Sequence, residues 1–163
     1  MRVLGIDPGS LITGFGVVEE QANRLHVLAW GAIRTPPRQP LYERLRRIYD
    51  GLSEAVGTWK PNAVSVERVF FAENPKSALT LGHARGVALL TVAHASLPLV
   101  EYTALEIKKA VVGYGHAAKP QMQRMVQTLL RMDAVPEPAD AADALAAAIC
   151  HLHTQGFQQR VRL

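Results

Sequence analysis

Three segments of alternating side chains open the chain and predict an antiparallel meander. The apolar run at residues 3–6 ends in Asp7, and the turn residues Pro8, Gly9 and Ser10 follow it. Residues 12–18 and 24–34 each alternate inward and outward positions with the period of a strand. Proline presets φ and glycine supplies the positive φ of a tight turn, so the first two segments read as a hairpin. Asp7 then stands at the tip of a buried strand.

A helix and a fourth strand follow. Apolar residues recur at helical spacing at Leu41, Leu45, Ile48, Leu52 and Val56. Gly57 suits the end of this helix. The short apolar run at residues 63–67 then ends in Glu67, which repeats the pattern of the first strand. A strand, helix, strand order predicts that this strand pairs in parallel with the meander.

The middle of the chain predicts a long helix and a fifth strand. Asn74 can cap a helix that has Pro75 at its first position and runs to about His94. Gly82 and Gly86 lie four residues apart on one face of that helix, where another backbone could approach closely. Residues 97–102 form the next apolar run. Together the five predicted strands and their helices indicate an α/β fold with a mixed sheet.

Three further helices complete the prediction. Thr103 and Glu106 form a capping box for a helix that ends at Gly113, and another helix starts at Pro120. The last helix runs from about residue 139 to 155 and ends at Gly156. We therefore predict one domain over residues 1–155 and a basic tail over residues 156–163.

Charge and composition narrow the classes of protein. The chain has 163 residues and a net charge of +4, from 18 basic and 14 acidic residues, which suits one soluble domain. Residues 107–132 hold basic side chains and no acid, which favours a polyanionic partner. Arg124 belongs to this basic stretch. The lone cysteine, Cys150, excludes an intrachain disulfide and a thiolate cluster and fits the cytoplasm. We expect no membrane partner, because every apolar stretch is short or broken.

Four acids stand out by position. Asp7 and Glu67 each end an apolar strand, and Asp140 and Asp143 are three residues apart at the start of a helix. If the two strands are neighbours, all four carboxylates meet at one edge of the sheet. Hard cations such as Mg²⁺ prefer oxygen ligands of this kind, and two such ions serve displacement at phosphorus. Taken singly, Asp140 could simply be a residue that the helix dipole favours, and Glu67 could pair with Arg68 or Arg85.

Two aromatic and two basic residues are further candidates. Phe70 and Phe71 follow the fourth strand, and one of them can cap the core while the other stacks on a nucleic-acid base. Lys108 and Lys119 are either ordinary surface residues or part of a phosphate-binding face. The residues alone leave both alternatives open.

Three motifs resemble the RuvC family of Holliday junction resolvases. They are GIDPGS at residues 5–10, VERVFFAENPKSALTLGHARG at residues 66–86 and DAADALAAAICH at residues 140–151. The resemblance covers nearly the whole chain. It implies a ribonuclease H-like fold with a mixed five-stranded sheet flanked by helices. It also implies a homodimer that cuts opposed strands of a four-way DNA junction symmetrically with Mg²⁺ or Mn²⁺, two ions in each active site.

The resemblance also implies roles for individual residues. It makes Asp7, Glu67, Asp140 and Asp143 the metal-binding acids. It makes Phe70 the aromatic that stacks on unpaired bases, and Lys108 and Lys119 the basic residues near the scissile phosphate. The helix with Gly82 and Gly86 corresponds to the family's dimer interface, and a branch-migration helicase complex is an implied partner. Glu73 departs from expectation, because an acid beside Phe70 does not favour DNA.

We therefore predict a metal-dependent endonuclease that resolves four-way DNA junctions in recombination and repair. A ribonuclease H-like nuclease on another nucleic acid, such as an RNA–DNA hybrid, shares the acids but needs neither Phe70 nor a symmetric dimer. A non-catalytic junction-binding module is disfavoured by the four acids, which repel phosphates. An actin-like ATPase also begins with strand, Asp-x-Gly, strand, but it needs a second such half.

Overall fold

A mixed sheet forms the centre of the structure, a computed structural model that describes residues 1–68 and 74–161, with only the backbone of residues 157–161. Its strands are β1 (Arg2–Asp7), β2 (Ile12–Gln21), β3 (Arg24–Arg34), β4 (Ala63–Glu67) and β5 (Leu99–Tyr102). The strands lie in the order β3-β2-β1-β4-β5. The first three pair antiparallel, whereas β4 pairs in parallel with both β1 and β5. The predicted meander and parallel crossover are both confirmed.

Helices cover both faces of this sheet. They are α1 (Leu41–Trp59), α2 (Pro75–His94), α3 (Ala104–Val112), α4 (Lys119–Leu130) and α5 (Ala139–Val161). On one face, α1 and α2 bury residues such as Ile48 and Ala88 against Leu4 and Val64. On the other, α3, α4 and α5 pack over Val3 and its neighbours. The sheet is thus the middle of three layers, and its core strands are apolar on both faces, as parallel pairing requires.

Glycines in the central strands allow α5 to lie unusually close to the sheet. A Cβ on Gly5 would stand 1.8 Å from the carbonyl oxygen of Ala144, and one on Gly16 would stand 2.5 Å from the Leu145 side chain. The buried Ser65 hydroxyl donates a hydrogen bond of 2.7 Å to the carbonyl of Ala147. These contacts fix the height of α5 above β1, β2 and β4.

Helix starts follow the sequence closely, and so do the ends of α2 at His94 and of α3 at Gly113, whereas two other ends do not. Asn74 caps α2, and Thr103 and Glu106 form the predicted capping box of α3. The prediction that α1 ends at Gly57 was wrong. The helix continues to Trp59, which packs against the core, and Lys60 adopts the left-handed conformation with φ 46°.

The predicted end of the last helix at Gly156 was also wrong, since α5 continues to Val161. A glycine inside a helix costs only about 1 kcal/mol relative to alanine, so it need not end one. The division into a domain and a basic tail from residue 156 remains a prediction.

One face of α2 is open. Leu79 and Leu90 are 65% and 48% exposed on it. Gly82 and Gly86 lie between them, and a Cβ on either would meet no atom within 4 Å. The close approach that the sequence predicts for these glycines is therefore not made within the described part of one chain.

None of the helices among the described residues is long and apolar enough to cross a membrane.

Candidate active site at the carboxyl ends of β1 and β4

Asp7 and Glu67 end two neighbouring strands. Ile6 of β1 stands opposite Val66 of β4, and the two strands run parallel. Their last residues therefore reach the same edge of the sheet, where each carboxyl group directly follows a run of four buried residues. The structure confirms that the two strands are neighbours and that their tips open on one edge, as the sequence predicts.

The first turns of α5 carry the other two acids to this edge. Asp7 pairs across the hairpin with Gly14 of β2. A Cβ on Gly14 would stand only 2.0 Å from the carbonyl oxygen of Asp140. The backbone of α5 thus begins against β2, directly beside Asp7, and Asp143 follows one turn later.

The electrostatics of Asp7 show that the four carboxylates converge. Burial, followed by the charges of Asp143, Asp140 and Glu67, raises the pKa of Asp7 from 3.8 to about 7, although the charge of Lys119 opposes the shift. Burial and the Asp143 charge likewise raise the pKa of Glu67, against the charges of Lys108 and Lys119. A carboxyl group behaves in this way when like charges share a site with too few cations.

Lys108 and Lys119 stand on one side of this cluster. The Lys119 ammonium donates a hydrogen bond of 2.8 Å to Oδ2 of Asp143, and this contact raises the lysine's pKa. Both lysines line a cavity of about 290 Å³ together with Glu67 and Asp143. Its remaining wall comes from α3, α4 and α5, at Ala104, Ile107, Met122 and Ala146. The cavity joins carboxylate and ammonium groups at one opening.

The donor set suits a hard divalent cation, since every carboxyl oxygen here is a ligand that Mg²⁺ prefers. The side chains are not arranged as a closed coordination sphere: no three His, Cys, Asp or Glu residues among those described form a group that could hold one ion as they stand. A Mg²⁺ site usually keeps several waters and takes oxygens from a substrate phosphate beside one or two carboxylates, so it needs no closed sphere of side chains.

The turn after Asp7 is held by three side chains. The buried Thr13 hydroxyl donates to the carbonyl of Gly9 at 2.7 Å and accepts from its amide at 3.3 Å. The carbonyl of Ser10 accepts from the Thr35 hydroxyl and from both Nε and Nη2 of Arg44, at 2.7, 3.2 and 2.7 Å. Sequence reasoning missed these supports, because nothing in a single sequence separates Arg44 from the other arginines of α1.

Arg85 of α2 supports the end of β4. Its Nη1 donates to the backbone carbonyl of Glu67 at 2.8 Å, and its Nη2 pairs with the carboxylate of Glu101. The alternative that Arg85 forms an ion pair with the Glu67 side chain is therefore wrong, since the arginine takes its carboxylate partner from β5. Glu67 lines the cavity together with Asp143, and burial, followed by the Asp143 charge, raises its pKa.

Two predicted DNA-binding residues are not found in the cavity lining, for different reasons. Arg124 is exposed on α4 and lines a separate groove with Pro120, Gln121 and Thr128, so the structure does not bring it into the cavity. Phe70 and the neighbouring Phe71 and Glu73 lie outside the described residues, and their predicted roles stay predictions.

Comparison with known proteins identifies the family. Residues 3–151 match the family described as crossover junction endodeoxyribonuclease RuvC. The protein of that name from Syntrophotalea carbinolica is 57% identical over 153 residues, covering 94% of both chains. The one from Geobacter metallireducens is 50% identical over 162 residues, covering 99% of this chain and 98% of its own.

Solved structures agree. A structure described as Thermus thermophilus RuvC in complex with a Holliday junction substrate superposes with a TM-score of 0.91 at 35% identity, covering 97% of this chain and 96% of that one. The yeast mitochondrial Holliday junction resolvase Ydc2 shares the fold, with a TM-score of 0.71 at 14% identity, covering 98% of this chain and 81% of its own. Sequence, fold and the edge of acids agree: the chain belongs to the RuvC family of crossover junction endodeoxyribonucleases, which are metal-dependent nucleases.

Proposed function

We propose that this nuclease resolves four-way DNA junctions by cutting two opposed strands, with Asp7, Glu67, Asp140 and Asp143 holding two Mg²⁺ or Mn²⁺ ions in each active site. The observation that carries the proposal is the convergence of these carboxylates at one sheet edge, where burial and then the charges of the other three acids raise the pKa of Asp7 to about 7. Family membership over residues 3–151 supports the substrate and the reaction.

Divalent cations at this edge would lower the pKa of the attacking water and stabilise the charge on the leaving oxygen. The acids would hold and orient the reacting groups. Lys108 and Lys119 line the same cavity and would offset negative charge on the scissile phosphate. Hydrolysis in this arrangement leaves 5′-phosphate and 3′-hydroxyl ends.

DNA contacts beyond the cavity are proposed for two residues. Arg124 is exposed along α4, on the helix that begins with Lys119, and suits a phosphate of the adjoining DNA. Phe70 follows Glu67 by three positions in the sequence, and an aromatic ring suits stacking on an unpaired base. The phosphate contacts would position the DNA, while junction shape would supply selectivity.

A homodimer suits the reaction, because two opposed strands need two active sites. The open face of α2 supports this assembly. Gly82 and Gly86 would let a second backbone approach, and the exposed Leu79 and Leu90 flank them.

We further propose that a branch-migration helicase complex delivers the junction. The proposed location is the cytoplasm, which suits the lone buried thiol of Cys150.

The test compares substrates of matched sequence. A labelled four-way junction, a linear duplex and an RNA–DNA hybrid are each incubated with the full chain and Mg²⁺. Paired symmetric nicks in the junction alone are expected. Cutting of the hybrid instead would reassign the substrate to a ribonuclease H-like activity. Tight junction binding without any cutting would leave a binding module and overturn the proposal.

A further inference from the structure

Arg85 connects three elements beside the active site. It lies on α2, its Nη1 bonds to the last carbonyl of β4 at Glu67, and its Nη2 pairs with Glu101 of β5. Its side chain is only 16% exposed, and that of Glu101 is 34% exposed. An ionised group in such a place is retained only with good partners, because burial is costly for a charge.

The carbonyl that Arg85 holds belongs to a proposed metal-binding residue. Glu67 ends β4, and the amide of the next residue, Arg68, bonds to the carbonyl of Tyr102 at 2.7 Å. The peptide that leaves Glu67 is therefore fixed from two sides, by β5 and by α2. Because the Glu67 side chain is attached to this backbone, a rotation of the peptide would move the Glu67 carboxylate relative to Asp7 and Asp143.

We propose that Arg85 is a positioning residue that fixes the backbone of Glu67, and thereby the place of its carboxylate in the acidic cluster. This inference rests on the proposed role of Glu67 as a metal ligand. An arginine suits the task because its rigid fork serves two acceptors at once, the Glu67 carbonyl and the Glu101 carboxylate. Burial and the charge of Arg68 lower the pKa of Arg85, and Glu101 supplies the opposing charge.

The chain offers a matched control. Arg2 is also partly buried, and it also bonds to one carbonyl, that of Trp59, and one carboxylate, that of Glu19 at 3.0 Å. It begins β1, at the opposite end of the strand from Asp7. Loss of Arg2 therefore removes the same kinds of interaction without touching the acids.

The experiment measures Mn²⁺ binding to the full chain by electron paramagnetic resonance of the free ion, beside kcat and KM for junction cleavage. Changes to groups that orient a metal ligand typically reduce affinity by about 10- to 100-fold, and we expect this of Arg85→Gln in both Mn²⁺ affinity and kcat. The KM for the junction should stay unchanged. Arg85→Lys should recover part of the loss, since it keeps one donor.

Arg2→Gln should match Arg85→Gln in thermal destabilisation while leaving Mn²⁺ affinity unchanged. Glu101→Gln should give an intermediate loss of Mn²⁺ affinity, because Arg85 then keeps its carbonyl bond but loses its anchor. Unchanged Mn²⁺ affinity in a folded Arg85→Gln protein would overturn the inference, and so would equal losses in Arg85→Gln and Arg2→Gln. If the unaltered chain binds Mn²⁺ but cuts no junction, the proposed function fails, and the Mn²⁺ comparison still decides the role of Arg85.

Discussion

Replacing Gly14 with alanine should separate the two halves of the active site. Gly14 pairs with Asp7 across the first hairpin, and its missing side chain makes room for the backbone of Asp140. The change adds one methyl group and removes no hydrogen bond or charge. Its effect therefore reports on distance alone.

The structure gives the size of the displacement. The new Cβ would stand 2.0 Å from the Asp140 carbonyl oxygen and 2.3 Å from its carbon, whereas ordinary contacts begin near 3.4 Å. The start of α5 must then move by about 1.4 Å, carrying Asp140 and Asp143 away from Asp7. A misplacement of about 1 Å can cost roughly 100-fold in rate. Overpacking of this kind also costs about 1–3 kcal/mol of stability.

The assay is single-turnover cleavage of a four-way junction, read beside junction binding and thermal unfolding. Gly31→Ala is the matched control. Gly31 lies in β3 of the same sheet, and its Cβ would meet only the Phe15 ring, at 3.2 Å. We expect Gly14→Ala to lose about 100-fold in cleavage rate with binding retained, and Gly31→Ala to stay near the original rate.

A Gly14→Ala protein that cuts at the original rate would refute the reasoning. Such a result would mean that α5 need not stand at this height, and hence that its acids do not act together with Asp7. Equal loss in both variants would point to the sheet as a whole rather than to the contact between β2 and α5.

Three further predictions concern pH, packing and assembly. With a chelator present, Asp7→Asn should have a higher free energy of unfolding than the original chain, and this difference should increase from pH 5 to pH 8. The pKa of Asp7 is 3.8 in the unfolded chain and about 7 in the folded chain, so ionisation in this range destabilises the native state. Thermal unfolding across that range tests this, and a constant gap would contradict it. Ser65→Ala should lower stability by about 1 kcal/mol, or about 2–4 °C in Tm, through the lost bond to Ala147, while cleavage at 25 °C stays unchanged; calorimetry showing no shift would contradict this. Gly82→Glu should leave the fold intact, because no atom of the described residues stands within 4 Å of a Cβ at this position, but sedimentation should show a monomer; a dimer would move the interface elsewhere.

The hydrophobic periodicity and the capping residues predicted the strands and the helix starts, and there is a physical reason for this. Strands such as β4 are short, apolar and bounded by turn residues, and α2 and α3 begin at side chains that bond to their own first amides. Such signals are local, so they can be read from neighbouring residues. A helix end can also depend on packing: α3 ends at Gly113 as predicted, whereas α1 continues past Gly57 and packs Trp59 against the core.

The acids were predictable for a related reason, and their supports were not. Asp7 and Glu67 are charged residues at the ends of mostly apolar strands. Burial of an unpaired carboxylate costs free energy, so its presence there indicates a function. Arg44 and Arg85 give no such signal in the sequence, because arginine is a good helix former and is common in helices. Their partners, Ser10 and the Glu67 carbonyl, become neighbours only when α1 and α2 pack on the sheet.

The central claim is that cutting takes place at the acidic edge around Asp7. It is tested most directly by Asp7→Asn, measured for junction cleavage with Mg²⁺ and for junction binding. Asp133→Asn is the control, because Asp133 is an exposed acid outside the cluster. We predict that Asp7→Asn abolishes cleavage and preserves binding, because it removes a carboxylate proposed to bind metal and leaves the basic residues in place, while Asp133→Asn cuts normally. Cleavage by Asp7→Asn at the rate of the control would contradict the account.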